Sequence, residues 1–188
     1  MDITGSMLVP TWDGFLYTLV IVEVSCRYLV ERLLHTKEDV GVTVRDVLAM
    51  LERQSGLKVR SEFVNNAMNT FCHHNGIIHE TTIPYTPEQN GITERAIAIF
   101  FKMVQSMLYT ANVSLQYWDE AFSYAVHIRS LSAVTGLDSV VPYEAWTGRK
   151  PDISHLQVFG SLGWAHVPRQ VHRGKLESQA VKVRILSW

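Results

Sequence analysis

The chain has 188 residues, 47% of them hydrophobic and 19% charged, with a formal net charge of −1. That length suits one domain with a short appendage and suffices for a real core, and the composition excludes a disordered chain as the default. Two cysteines, Cys26 and Cys72, without metal-ligand spacing exclude a disulfide framework and point to free thiols in a reducing, intracellular compartment. No signal peptide is evident. The apolar run from Phe15 to Val22 is too short to span a bilayer and is closed by Glu23, so no membrane partner is expected.

In chain order, Phe15 to Val22 and Tyr28 to Leu34 are apolar runs that predict two strands, with the intervening EVSCRY as a hairpin turn. Thr36 to Gln54 predicts a helix. Val40, Val44, Val47, Leu48 and Leu51 share one face, and Gly56 supplies the stop. Leu57 to Arg60 then predicts a short strand, Val64 to His74 a second helix closed by Gly76, and Ile77 to His79 another short strand. Cys72, His73, His74 and His79 fit no common zinc spacing, because adjacent histidines point to different helix faces.

The most informative stretch is Pro84 to Arg95, PYTPEQNGITER. Pro84, Pro87 and Gly91 predict irregular backbone up to about Gly91. Thr86-Pro87-Glu88-Gln89 also reads as a helix start, with Thr86 as N-cap and Gln89 at the capping-box position. Ile92, Ala96, Ile99, Phe100, Met103, Met107 and Leu108 then recur at helical spacing. On this reading Glu94 lies in or near the first turn, at an edge where a carboxylate can reach a metal or a substrate. Its bland alternative is a surface glutamate that only favours the helix dipole. Leu115 to Leu131 predicts another helix, with Trp118, Ala121, Phe122, Ala125 and Ile128 as core.

Residues 149–188 hold seven Lys/Arg against two Asp/Glu, so the remainder of the chain is net acidic. Val181, Val183 and Ile185 alternate with Lys182 and Arg184, which predicts a half-buried strand with a basic face. Lys150, Arg169, Arg173, Lys175, Lys182 and Arg184 are the candidates for phosphate contact. The alternative is a solvated, partly extended tail.

P-x-T-P-E-Q-N-G-x-x-E-R resembles the third catalytic block of the integrase core of copia-type LTR retrotransposons. PYEAWTGRKPDISHLQVFG (142–160) and KLESQAVKVRILSW (175–188) resemble the segment that follows that core. The resemblance implies an α/β, RNase H-like fold, a mixed sheet flanked by helices. It divides the chain into a core-like domain at 1–132, with its first strand truncated, and a basic post-core segment with short strands at 133–188. It also implies an Asp-Asp-Glu triad that holds divalent ions. Glu94 matches the last acid and Asp2, in DITGSM, the first, although Gly5-Ser6 stands where the family has Gly-Pro. As a frayed terminal residue Asp2 would have no role.

The second acid is the departure. The family carries Asp-Asn-Gly and usually one more residue before a Glu-Phe pair, whereas here Ser61 runs directly into Glu62-Phe63. Restoring about four residues before Glu62 would set the lost aspartate about 35 residues from Glu94, the family's usual interval. Glu62 is the acid that could substitute, if the shortened loop swings it inward. At the corner where the family has two acids and Ser-Arg, Glu23 and Arg27 remain, with Val24 and Cys26 replacing the others. Glu23 belongs to the hairpin and takes no catalytic role.

Family chemistry is the displacement of a phosphodiester by a DNA 3′-hydroxyl, assisted by two Mg²⁺ or Mn²⁺ ions about 3.5–4 Å apart. The implied partners are retroelement ends and target DNA, a homodimer is the assembly such cores tend to form, and nuclear residence follows from the task alone. With Asp2 and Glu94 as the remaining acids, at most one ion is held well and strand transfer is expected to be impaired or lost. The competing expectation is a decayed or repurposed RNase H-like module that binds nucleic acid or a partner without catalysis.

Overall fold

The computed structural model describes residues 1–56, 87–134, 139–168, 170 and 178–187, and for 87–90 the backbone only. The strands expected at 57–60 and 77–79 and the helix expected at 64–74 lie outside the described residues.

Three antiparallel strands form a sheet: β1 (Asp2–Ile3), β2 (Tyr17–Val22) and β3 (Leu29–Leu34), in the order β1-β2-β3. Val22 pairs with Leu29 at the closed end of the β2–β3 hairpin, and Tyr17 pairs with Leu34 at its open end. The turn is built by its own polar groups. The Glu23 carboxylate accepts from the Ser25 and Cys26 backbone N–H groups at 3.1 and 2.7 Å and from the Ser25 hydroxyl. Arg27 sits in the left-handed region at φ 62°, and its N–H donates to the Glu23 carbonyl at 2.9 Å. Glu23 is thus a structural carboxylate, as the sequence reading held.

Alternation along the strands gives the sheet two apolar faces. Leu19 and Leu34 pack with Val40, Val44 and Leu48 of α1 (Val40–Ser55), and Val30 packs with Val47 and Leu51 of the same helix. The expected five-residue stripe is therefore the buried face of α1. A short 3₁₀ turn, Lys37–Asp39, leads into it. The Asp39 carboxylate there accepts from the N–H and hydroxyl of Thr36 at 2.9 and 3.0 Å. Gly56 ends α1 with φ 70°, its N–H donating to the Glu52 carbonyl, a conformation that lets the last turn close without a Cβ penalty.

Val20 and Leu29 face the other way and join Phe100, Val104 and Leu108 of α2 (Pro87–Ala111) and Trp118 and Phe122 of α3 (Trp118–Leu131). α2 starts at Pro87, the first-position proline of the capped reading, so Gly91 lies inside the helix and the irregular backbone expected up to Gly91 is helical over 87–91. Of the expected stripe, Phe100 and Leu108 are buried and Ala96, Met103 and Met107 pack against the same core, while Ile99 falls outside it. Thr93, Phe100, Val104, Leu108 and Ala111 are buried, whereas Ile99 is 45% exposed. A 3₁₀ turn, Leu115–Tyr117, precedes α3, and the Trp118 indole N–H donates to the Val9 carbonyl at 3.0 Å. The Ser123 hydroxyl donates to Glu31 at 2.6 Å, which ties α3 to β3.

The remaining described elements are α4 (Pro142–Thr147), whose Trp146 stacks on Tyr28 at 5.3 Å, and a hairpin of β4 (Leu162–His166) and β5 (Ala180–Arg184). Phe159, just before β4, is buried against Tyr124 of α3, and the Tyr124 hydroxyl donates to the Gln157 carbonyl. Gly160 follows at φ 79°, flush against Ala111 at the end of α2.

Candidate functional site

Asp2 lies on the short β1 strand directly opposite Val20. Directly paired residues share a face. Val20 packs with Phe100 of α2, and Ile3 falls on the α1 side with Leu19. Register therefore places Asp2 on the sheet face that α2 covers, and α2 contacts β1. One carboxylate oxygen of Asp2 accepts from the Ile3 N–H at 2.8 Å. The residue is partly buried and lies within a paired strand rather than in a frayed end.

Glu94 is exposed on α2. It follows Thr93, which is 5% exposed, so the chain passes from the core stripe to solvent within one residue. Because the helix begins at Pro87, Glu94 lies two turns inside it and not in its first turn, and the positive end of the helix dipole does little for its charge. The next residue, Arg95, donates Nε–H to the Gly91 carbonyl at 2.8 Å.

Glu62 and the Ser61–Glu62 junction lie outside the described residues, as do Cys72, His73, His74 and His79. Among the described residues no group of three or more His, Cys, Asp or Glu side chains is gathered to hold a metal ion. Two carboxylates alone would not make a two-ion centre, which needs a bridging carboxylate and further acids.

Of the basic candidates, Lys150, Lys182 and Arg184 are exposed, and Arg169, Arg173 and Lys175 lie outside the described residues. The expected alternation along residues 181–185 is present in β5, but the valine side is not well buried, since Val181 is 49% exposed. The reason is that, among the described residues, β5 pairs with β4 alone and no helix packs extensively on this hairpin. Trp164 stands opposite Lys182, and Leu162 opposite Arg184, so an aromatic side chain and two cations share one hairpin face. Trp164 is 71% exposed. Sequence reasoning missed it, and its only signal was the register of the two strands. Arg184 is partly engaged, donating to the Gly160 carbonyl at 3.0 Å.

No family model matches the chain. It is 30% identical over 187 residues to the Retrovirus-related Pol polyprotein from transposon TNT 1-94 of Nicotiana tabacum, with 96% of this chain and 14% of the relative covered. The corresponding Pol polyproteins of transposons RE2 and RE1 of Arabidopsis thaliana are 26% and 27% identical over 181 residues, each with 94% of this chain and 12% of the relative covered. The chain thus spans about one-seventh or less of the length of the curated relatives it matches. Among solved structures, a chain of the simian T-cell lymphotropic virus intasome in complex with PP2A regulatory subunit B56 gamma superposes with a TM-score of 0.59 at 17% identity, covering 95% of this chain and 64% of that one. The catalytic core domain of BIV integrase superposes with a TM-score of 0.50 at 21% identity, covering 79% of this chain and 91% of that one. No described helix is long and apolar enough to cross a membrane. Over nearly its whole length the chain is therefore similar to retrovirus-related Pol polyproteins of plant transposons, and its α/β, RNase H-like fold is that seen in retroviral integrase cores.

Proposed function

We propose that this chain descends from an enzyme that joined retroelement DNA to target DNA, that its own strand transfer is impaired or lost, and that nucleic-acid binding is the activity it retains. One observation carries the reading. Where the resembling family has its second catalytic aspartate, this chain runs from Ser61 directly into Glu62-Phe63, leaving Asp2 and Glu94 as the matched acids. The placement of Asp2 on the α2-covered face supports their common site. Catalytic groups that act as a unit are not additive, so loss of one member removes orders of magnitude of rate.

The binding surface on this reading is the basic post-core segment, residues 133–188, including Lys150, Lys182 and Arg184, with Arg169, Arg173 and Lys175 alongside in sequence. Phosphate contacts by such residues are non-specific and steeply salt-dependent. Nuclear residence and a homodimer belong to the same proposal, through the family's task. The second reading, a non-catalytic decayed or repurposed RNase H-like module that binds nucleic acid or another partner, rests on the same missing aspartate.

The experiment is a strand-joining assay on the purified chain with Mg²⁺ or Mn²⁺, beside Glu94→Gln and a version with Asp-Asn-Gly and one further residue restored between Ser61 and Glu62. The expected outcome is no joining by the chain itself. Joining that disappears in Glu94→Gln would refute the loss of activity. Sequencing the transcript across the Ser61 and Glu62 codons decides whether the junction is real.

A further inference from the structure

A cavity of about 280 Å³ opens between the closed end of the β2–β3 hairpin, the N-terminal half of α2 and the C-terminal end of α3. Its walls include Leu29, Ile99 and Phe100, and three arginines reach it from three separate elements: Arg27 from the hairpin turn, Arg95 from α2 and Arg129 from α3. Among the described residues that line it, none is acidic.

The arginines make few hydrogen bonds among the described residues. One terminal nitrogen of Arg27, Nη1, is buried and has no hydrogen-bond partner among the described residues. Arg27 is held there by a backbone that most residues avoid, with φ at 62° and its N–H fixed to the Glu23 carbonyl. Arg95 uses Nε on the Gly91 carbonyl. Arg129 makes a long 3.4 Å contact from Nη1 to the Ala133 carbonyl. Three like charges around one partly enclosed space repel each other, and a buried N–H without an acceptor is destabilising, more so on a charged group. A guanidinium's planar fork matches the oxygens of phosphate bidentately, and an apolar wall beside it accepts a ring or sugar. The exposed Ile99, anomalous as a core position on α2, is accounted for as part of that wall.

We propose that this cavity is a binding site for a phosphate monoester of mononucleotide size, with Arg27, Arg95 and Arg129 as its anion ligands. The proposal stands on the cavity alone and is independent of the reading of Asp2 and Glu94.

The test is isothermal titration of the whole chain with deoxyadenosine monophosphate, deoxyadenosine and inorganic phosphate. The monophosphate is expected to bind saturably and the nucleoside about tenfold or more weaker, the size of one lost charge-assisted bond. Arg27→Met and Arg95→Met should each weaken the monophosphate by a similar factor, with Arg32→Met, a strand arginine outside the cavity, unchanged. Unfolding curves of each variant separate loss of binding from loss of fold. A single-stranded oligonucleotide with a 5′-phosphate is compared with its 5′-hydroxyl form. Tighter binding of the phosphorylated strand identifies a strand end as the source of the phosphate, whereas binding of the mononucleotide alone identifies a free nucleotide. Absence of saturable binding overturns the proposal, as does equal binding by wild type, Arg27→Met and Arg95→Met. Equal binding of both oligonucleotides, lost with the hairpin cations and not with Arg27, would support nucleic-acid binding and overturn this site.

Discussion

Gly160→Ala should be among the most damaging single-methyl additions in the chain. A Cβ at this position would lie 2.2 Å from the Ala111 Cβ and 3.0 Å from its Cα, at the buried end of α2. Gly160 also has φ 79°, where an L side chain is strained. The left-handed conformation costs about 1–2 kcal/mol, and forcing a methyl into a filled space typically adds about 1–3 kcal/mol. Gly148 separates the two effects. Its φ is 69°, but an added Cβ meets nothing within 4 Å, so Gly148→Ala carries the conformational cost alone. For a domain of this size each kcal/mol moves Tm by roughly 2–4 °C. Gly160→Ala is therefore expected to melt about 2–12 °C below Gly148→Ala in a reversible thermal or urea unfolding series. Ala111→Gly removes the nearest clashing atom, so the double variant should recover at least about 1 kcal/mol relative to additivity. If Gly160→Ala and Gly148→Ala melt together, or if Ala111→Gly gives no recovery, Phe159-Gly160 does not seat on the end of α2 as described.

Burial, followed by the hydrogen bond and charge of Glu23, pushes the Cys26 thiol up to about 11. In a Cys72→Ala background its alkylation by iodoacetamide at pH 8 should run on the order of 100-fold slower than a free cysteine, because the thiolate is the nucleophile; reaction at the free rate in folded protein would contradict this. Burial pushes the Glu23 carboxylate up, but hydrogen bonds from Cys26 and Ser25 outweigh it and hold the group below its usual range. Its contribution to stability is thus present above the unfolded value near 4.5 and is lost as pH falls through the lower folded value, a slope that should vanish from the acid limb in Glu23→Gln. Ser123→Ala removes the 2.6 Å bond to Glu31 and should cost about 1 kcal/mol in urea unfolding, whereas no change would mean that water replaces it fully. In nucleic-acid binding, Lys182→Ala should lower the slope of log K against log salt by about 1, while Trp164→Ala weakens single-strand binding with the slope kept. A slope indifferent to Lys182 would remove the hairpin from the contact surface.

The sequence by itself located several local elements and carried the resemblance to retrotransposon Pol polyproteins. Apolar runs located β2 and β3, and a period-3.6 apolar pattern located α1, because side chains at that spacing share one helix face and reach one core. The twelve residues from Pro84 to Arg95 placed the family, since capping proline, turn residues and a spaced glutamate rarely coincide. The absence of an aspartate before Glu62-Phe63 is likewise a fact of sequence, with no need of coordinates. Tertiary structure decided how far α2 extends toward its N-terminus and which stripe of it is buried. Gly91 signals a break locally, yet Pro87 can open a helix, and packing on Val20 and Leu29 adds Val104 to the expected Phe100 and Leu108 and leaves Ile99 outside the core. It also brought Arg27, Arg95 and Arg129, separated by 68 and 34 residues, around one cavity, and set Trp164 opposite Lys182. Sequence patterns report which face of one element is buried. What that face meets depends on strand register and helix rotation, which are fixed only when several elements bury their apolar surfaces together.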